Sequence, residues 1–277
     1  MNPLPQGPCT VSQVCVDQKE WAMNWRATFL LACWVLWAAQ ALASEPGSQK
    51  DPVPSVMWDF YHKQLLGQAA FVFDDRVKLL APPFAEDARQ VPLEIDARAF
   101  SGQVVRIIAW AELNPLPRIV DFQPGERVLP WLSIRIRVEQ ATPLRAAVLT
   151  RDGLWHVGST LIDAAGGGCT APSVVRTQPG WEEHLGEVLG GRYPRGDSSR
   201  LRLQVAHPMD NGLVSGIPEF FLNHAELQGA DGQRLASLEL YPAVSENPNL
   251  GFDIQGSGPT RLLLQDNSGN QFEAAVP

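Results

Sequence analysis

The chain has 277 residues, 45% hydrophobic and 19% charged, enough for one large domain or two of ordinary size. Its net charge is -8 and it has no run of five basic residues, which excludes nucleic acid as a partner because the phosphate backbone is bound largely by Lys and Arg. With 23 Gly and 23 Pro, the composition favours short strands joined by many turns over a helical protein.

Residues 27–43 are mainly apolar, are preceded by Arg26, and end in Ala41-Leu42-Ala43 before Ser44-Glu45-Pro46. A positive residue, an apolar run and a small-x-small ending are the three parts of a secretory signal peptide, so cleavage is expected after Ala43. The run contains Gln40 and falls short of the roughly 20 apolar residues of a spanning helix. Residues 1–22 carry Asp17, Lys19 and Glu20, which suit a signal lead-in poorly, whereas a start at Met23 gives a short positive one. Leu30-Leu31-Ala32-Cys33 resembles a lipoprotein site but lies inside the apolar run, so lipidation is not expected. Cleavage removes Cys9, Cys15 and Cys33, and with two basic and two acidic residues lost the net charge stays at -8. Cys169 is then the single cysteine in an oxidising compartment. A lone cysteine forms no intrachain bridge and reads as a reactive thiol or as one half of an intermolecular pair.

Along the mature chain, residues 44–54 read as a frayed lead-in. Residues 56–70 have apolar residues at helical spacing (Met57, Phe60, Tyr61, Leu65) and predict one amphipathic helix, with His62 a surface histidine. Strands are predicted over 77–81, 91–95, 104–112, 132–139, 144–150 and 154–163. The clearest is 132–139, where Leu132, Ile134, Ile136 and Val138 face a core and Ser133, Arg135, Arg137 and Glu139 face water. Arg151-Asp152-Gly153 is a hairpin turn, and Asn114-Pro115-Leu116-Pro117 is a loop. Residues 166–196, rich in Gly and Pro, read as linker with a short helix over 181–189. Strands resume over 201–206, 220–227, 234–241, 252–255 and 260–265. The expected fold is mainly β: two immunoglobulin-like antiparallel β-sandwich domains with a short N-terminal helix. The expected boundaries are 1–43 for the extension and signal peptide, 44–165 for the first sandwich, 166–196 for arm and linker, and 197–277 for the second sandwich.

Within the linker, Ala165-Gly166-Gly167-Gly168-Cys169-Thr170 places the thiol on a run of glycines. Gly has no Cβ, so such a run is slender and flexible, and an exposed loop is expected. A thiol on it can be presented to another protein's narrow pocket. Other chemistries fit less well. The five histidines form no His-x-x-x-His pair; Cys169, His207 and Met209 are the residue types of a blue-copper site, but no histidine follows Cys169 before His184. A cysteine hydrolase needs a base such as His156 fixed beside the thiol, which a mobile arm does not provide. No Gly-x-Ser-x-Gly, His-Glu-x-x-His or phosphate loop is present.

Residues 80–88 with Val91-Pro92-Leu93, then Asn114-Pro115-Leu116-Pro117 with Phe122, the strand from Ser133 to Arg137, and Gly167-Gly168-Cys169 resemble SoxY in order and type. His207-Pro208-Met209 with Gly212, Pro218 and Phe220, then Asn247-Pro248 with Phe252, and Asp266-Asn267-Ser268-Gly269 resemble SoxZ. The chain thus resembles the fused SoxYZ-like sulfur carriers associated with quinoprotein (PQQ) dehydrogenases. It departs from the SoxY pattern in that Cys169 is followed by Thr170-Ala171-Pro172 and more chain, so the arm is tethered at both ends.

The resemblance implies a periplasmic, non-catalytic carrier. Cys169 would hold a sulfur adduct covalently, with Gly166, Gly167 and Gly168 as its hinge and no other cofactor or metal. Its partners would be periplasmic sulfur-oxidation or quinoprotein dehydrogenase enzymes that dock the arm, with no nucleic acid and no membrane after signal cleavage. A disulfide-linked homodimer through Cys169 stays open. The alternative is a non-catalytic accessory or docking protein of a quinoprotein dehydrogenase. His207 and Met209 would be packing residues, and Trp131, Trp155 and Trp181 core or interface aromatics.

Overall fold

The computed structural model describes residues 50–276 except residue 257. The signal peptide, the start at Met23, Cys9, Cys15, Cys33 and the proposed cleavage after Ala43 lie outside the described residues. No helix among those described is long and apolar enough to cross a membrane.

The helix, α1, spans Trp58–Leu66 and stops at Gly67, whose φ of 69° ends the right-handed turn. Trp58, Tyr61 and Leu66 turn inward, while Phe60, expected on the apolar face, is exposed. The buried side packs on Trp110, Ala147 and Trp155 and forms a small second core outside the main one. The Trp58 and Trp110 rings stack with centroids 6.2 Å apart.

Nine strands belong to the first half: β1 (Phe71–Phe73), β2 (Lys78–Leu80), β3 (Phe84–Ala85), β4 (Val91–Asp96), β5 (Val104–Ala111), β6 (Arg118–Pro124), β7 (Val128–Ile136), β8 (Thr142–Thr150) and β9 (Trp155–Ala164). Seven follow: β10 (Val188–Arg195), β11 (Ser198–Val205), β12 (Leu222–Gly229), β13 (Arg234–Leu240), β14 (Asn249–Gln255), β15 (Thr260–Asp266) and β16 (Gln271–Val276). Period-two burial in β4 and β15 shows why the sequence takes this form, since each strand offers one apolar face to the core.

The two sandwiches are joined edge to edge. One sheet runs β1-β9-β8-β5-β6-β13-β12-β15-β16, with β3 also on β9; the other runs β10-β11-β14-β7-β4-β2. The joins are β6 on β13, with Phe122 opposite Leu238, and β7 on β14, with Leu132 opposite Phe252. Each half contributes to both sheets, and one hydrophobic core runs through them, with Phe122 and Phe252 meeting at 6.2 Å. Pairing is antiparallel except that β1 and β3 lie parallel to β9.

Several sequence expectations differ from what is observed. Residues 166–196 were expected as arm and linker, yet β10 lies within them and pairs with β11 along its whole length, and the expected helix is one 3-10 turn over Trp181–His184. Glycines at 190 and 191 weaken the alternating pattern that would have marked the strand. The lead-in is pinned near its end: the fully buried Arg145 guanidinium donates to Asp51 Oδ1 at 2.6 Å and to the Val53 carbonyl at 2.5 Å, while its Nε donates to Glu112.

Candidate functional site

Cys169 lies at the seam of the two halves, and the route to it is set by its glycines. Gly166 and Gly167 have φ of 102° and 79°, a left-handed region that side chains avoid. Gly168 is needed for another reason: a Cβ there would sit 2.1 Å from the Ala88 carbonyl oxygen and 2.5 Å from that of Val138. The glycines therefore bend the chain in from β9 and press it against the backbone after β7.

The expected exposed arm is not what is found. Gly166 and Thr170 are exposed, but Gly168 is buried and Cys169 is only 1% exposed. The chain dips inward for two residues because its backbone is captured there. Glu139 Oε2 accepts the Cys169 N–H at 2.9 Å and the Thr170 N–H at 3.2 Å, and Thr170 Oγ1 donates to Oε1. On the other side, Asn211 Nδ2 donates to the Cys169 carbonyl at 2.7 Å. Glu139 comes from the first half and Asn211 from the second. Beyond the cysteine, the carboxylate of Glu246 accepts Ser173 Oγ at 2.6 Å and the Val174 N–H at 2.7 Å, and Arg176 pairs with Asp210.

This seat suppresses the thiolate. Burial pushes the Cys169 thiol up to about 12; Glu139 adds to the rise and Arg137 opposes it. At neutral pH the sulfur is a protonated thiol and a poor nucleophile. A disulfide with a second copy needs the same release from the seat as any other reaction.

Arg137 is the residue that alternation placed wrongly. It lies one residue past β7, where the strand turns, and is 3% exposed instead of facing water. Its N–H donates to Ala243 O at 2.7 Å, and its guanidinium Nη2 donates to Pro208 O at 3.3 Å. Nε has no partner, and burial lowers its pKa. No periodicity signals a buried arginine at such a position.

His207 and Met209 are fully buried in the second half. His207 Nδ1 accepts the Met209 N–H at 3.1 Å, and Met209 Sδ accepts the Leu222 N–H at 3.3 Å. His207 Nδ1 and Met209 Sδ are therefore engaged with backbone, while His207 Nε2 is buried without a hydrogen-bond partner, 3.9 Å from Asp266 Oδ2. Among the described residues no cluster of three His, Cys, Asp or Glu side chains is placed to hold a metal ion. His156, weighed as a base for Cys169, is bound instead to Asp74 at 2.8 Å and packs on Phe100. Trp131 lies in the sheet under Arg200, Trp155 lies in the core beneath α1, and Trp181 meets Phe220 edge-on.

The fold and seat define a class: a two-part β-sandwich protein with, among the described residues, one free cysteine, set on glycines at the junction of its halves. Residues 62–169 match the model of the sulfur oxidation protein SoxY, and residues 191–277 match that of the sulphur oxidation protein SoxZ. Together the matches span more than half of the chain, which belongs to these families as a SoxY–SoxZ fusion, and the SoxY match ends on Cys169 itself. Among solved structures, the sulfur carrier protein SoxY from Chlorobium limicola f thiosulfatophilum is similar at 19% identity over 39% of this chain and 96% of that one, with a TM-score of 0.35. No curated protein sequence matches.

Proposed function

We propose that this protein is a periplasmic carrier of sulfur intermediates, held covalently on Cys169, and that the segment from Gly166 to Thr170 must leave its seat for loading and unloading. The observation that carries this reading is the placement of the free thiol at the end of the SoxY match, on glycines, one residue in from exposed Thr170. The segment is held by Glu139, whose carboxylate accepts from Cys169 and Thr170 and whose carbonyl accepts the Gly167 N–H, and by Asn211, which donates to Cys169; a docking partner can replace these hydrogen bonds. Once released, the thiol returns toward its ordinary pKa near 8.5 and regains nucleophilicity. Loading by thiosulfate would then join Cys169 Sγ to the outer sulfur. The thiol proton goes to water and two electrons pass to an oxidising partner enzyme, leaving a cysteine S-thiosulfonate. The protein itself turns nothing over; the partners supply the redox chemistry.

A second reading, an accessory or docking protein of a quinoprotein dehydrogenase, is favoured by the burial of the thiol in the closed state. Replacing Cys169 by Ser in the producing cell separates the two. A carrier loses thiosulfate-dependent electron transfer while the variant still folds. An accessory protein keeps its partner affinity and its effect on the dehydrogenase.

A further inference from the structure

Three arginines among the described residues are buried: Arg137, Arg145 and Arg200. Arg145 is paired with Glu112 and Asp51, and Arg200 with Asp253. Arg137 has no carboxylate within ion-pair distance; its guanidinium has the Pro208 carbonyl and an Nε without a partner. The two nearby acids are taken by other donors. Glu246 serves Ser173 and Val174, and Asp210 serves Arg176. Both carboxylates keep their charge and favour the guanidinium from a distance, but neither touches it, and a buried charge with no directly bound partner is costly; an anion in contact would offset that cost. The Cys169 thiol lies within electrostatic range of this guanidinium, and Gly168 packs on the carbonyl of Val138, the residue next to Arg137.

We infer that Arg137 is the counter-charge for an anionic sulfur group on Cys169, so that the closed seat favours a sulfonate-ended adduct over a neutral one. The inference rests on the carrier reading for its biological meaning and deepens it by naming the class of cargo the seat retains. Arg137 comes from the SoxY-like half. The carbonyl it touches and the Asn211 that holds Cys169 come from the SoxZ-like half, so both halves complete the seat. Arg137 is a positioning and specificity residue and takes no part in bond making.

The test makes both adducts on the chain from Ser44 onward, in which Cys169 is the single cysteine, after brief unfolding in urea, followed by refolding. Tetrathionate gives Cys–S–S–SO3⁻, with thiosulfate as the leaving group. Methyl methanethiosulfonate gives Cys–S–S–CH3, with methanesulfinate leaving. The rate of removal by dithiothreitol is read by intact mass, native against urea-unfolded, so that the intrinsic reactivity of each adduct cancels. The expected result is at least tenfold greater protection of the anionic adduct in the parent protein. The difference should fall below twofold in Arg137→Gln and be largely retained in Arg137→Lys. Equal protection of both adducts, protection of neither, or a preference that persists in Arg137→Gln overturns the inference. The comparison is made within each variant, so a general loss of stability does not imitate it. It is also independent of the carrier reading: a protein that shows the preference but carries no sulfur in the cell keeps the seat and loses the carrier role.

Discussion

Glu139 Oε2 accepts the backbone N–H of Cys169 at 2.9 Å, and the same carboxylate holds Thr170 through its N–H and its hydroxyl. One side chain thus closes the seat from the first half, as Asn211 does from the second. Hydrogen bonds to a charged group contribute about 1.5–3 kcal/mol each in net terms. Glu139→Gln keeps the shape and removes the charge. Alkylation of Cys169 by iodoacetamide at neutral pH should then rise by roughly 10- to 100-fold, at about 1.4 kcal/mol per tenfold. An unchanged rate would mean that the carboxylate does not hold the segment down.

The closed thiol has its own pH signature. Its folded pKa is raised by burial to about 12, so the folded state binds the proton more tightly than the unfolded one. The stability this contributes is complete below the unfolded value near 8.5 and is lost as pH rises toward 12. Denaturant melts should therefore show the parent losing stability across that window relative to Cys169→Ala. At pH 8, native Cys169 should react with a thiolate-directed reagent on the order of a thousandfold more slowly than in urea, because almost none of it is ionised. Equal rates would place the thiol in the open.

The glycines differ in what they do, and alanine substitutions should separate them. At Gly168 a methyl group meets two backbone carbonyls, which cannot move away cheaply. Gly168→Ala should unseat the segment and raise Cys169 alkylation sharply. At Gly167 nothing lies within 4 Å, and only the positive φ is strained, so Gly167→Ala should cost about 1 kcal/mol of stability with a small effect on the thiol. The opposite order in an alkylation assay would contradict this placement.

The halves share both sheets through the β6–β13 and β7–β14 pairs and one core. Cutting the chain in the exposed stretch at residues 177–179 should therefore leave two fragments that elute as one species in size exclusion and unfold in one transition. Either fragment alone exposes an apolar edge and should aggregate or fail to fold. Separate elution of two folded fragments would show that the joined sheets are not needed.

Many strands were legible, either by alternation, as in β4 and β15, or as short apolar runs between turns, as in β5, β8 and β9; all five lie within a residue or two of their predicted spans. The missing pieces have physical causes. β10 carries two glycines and a proline on a sheet edge, which erases its period. β6 was hidden because it is buried on both faces where the halves join, so it does not alternate. At the site, the run Gly166-Gly167-Gly168-Cys169 stands out in the sequence. Its burial was not, because it depends on Glu139 and Asn211, which lie 30 and 42 residues away in sequence. Arg137 was assigned to water by period two, which fails one residue past the strand end.

The most direct test of carriage is the intact mass of the protein purified from the cells that produce it, taken before and after a thiol reductant and mapped to peptides. A reductant-labile gain of one or more sulfur atoms, or of a thiosulfate-derived group, on Cys169 is the result expected of a carrier. An unmodified Cys169 in cells oxidising thiosulfate, still unmodified after exposure to thiosulfate and its oxidising partners, would contradict it.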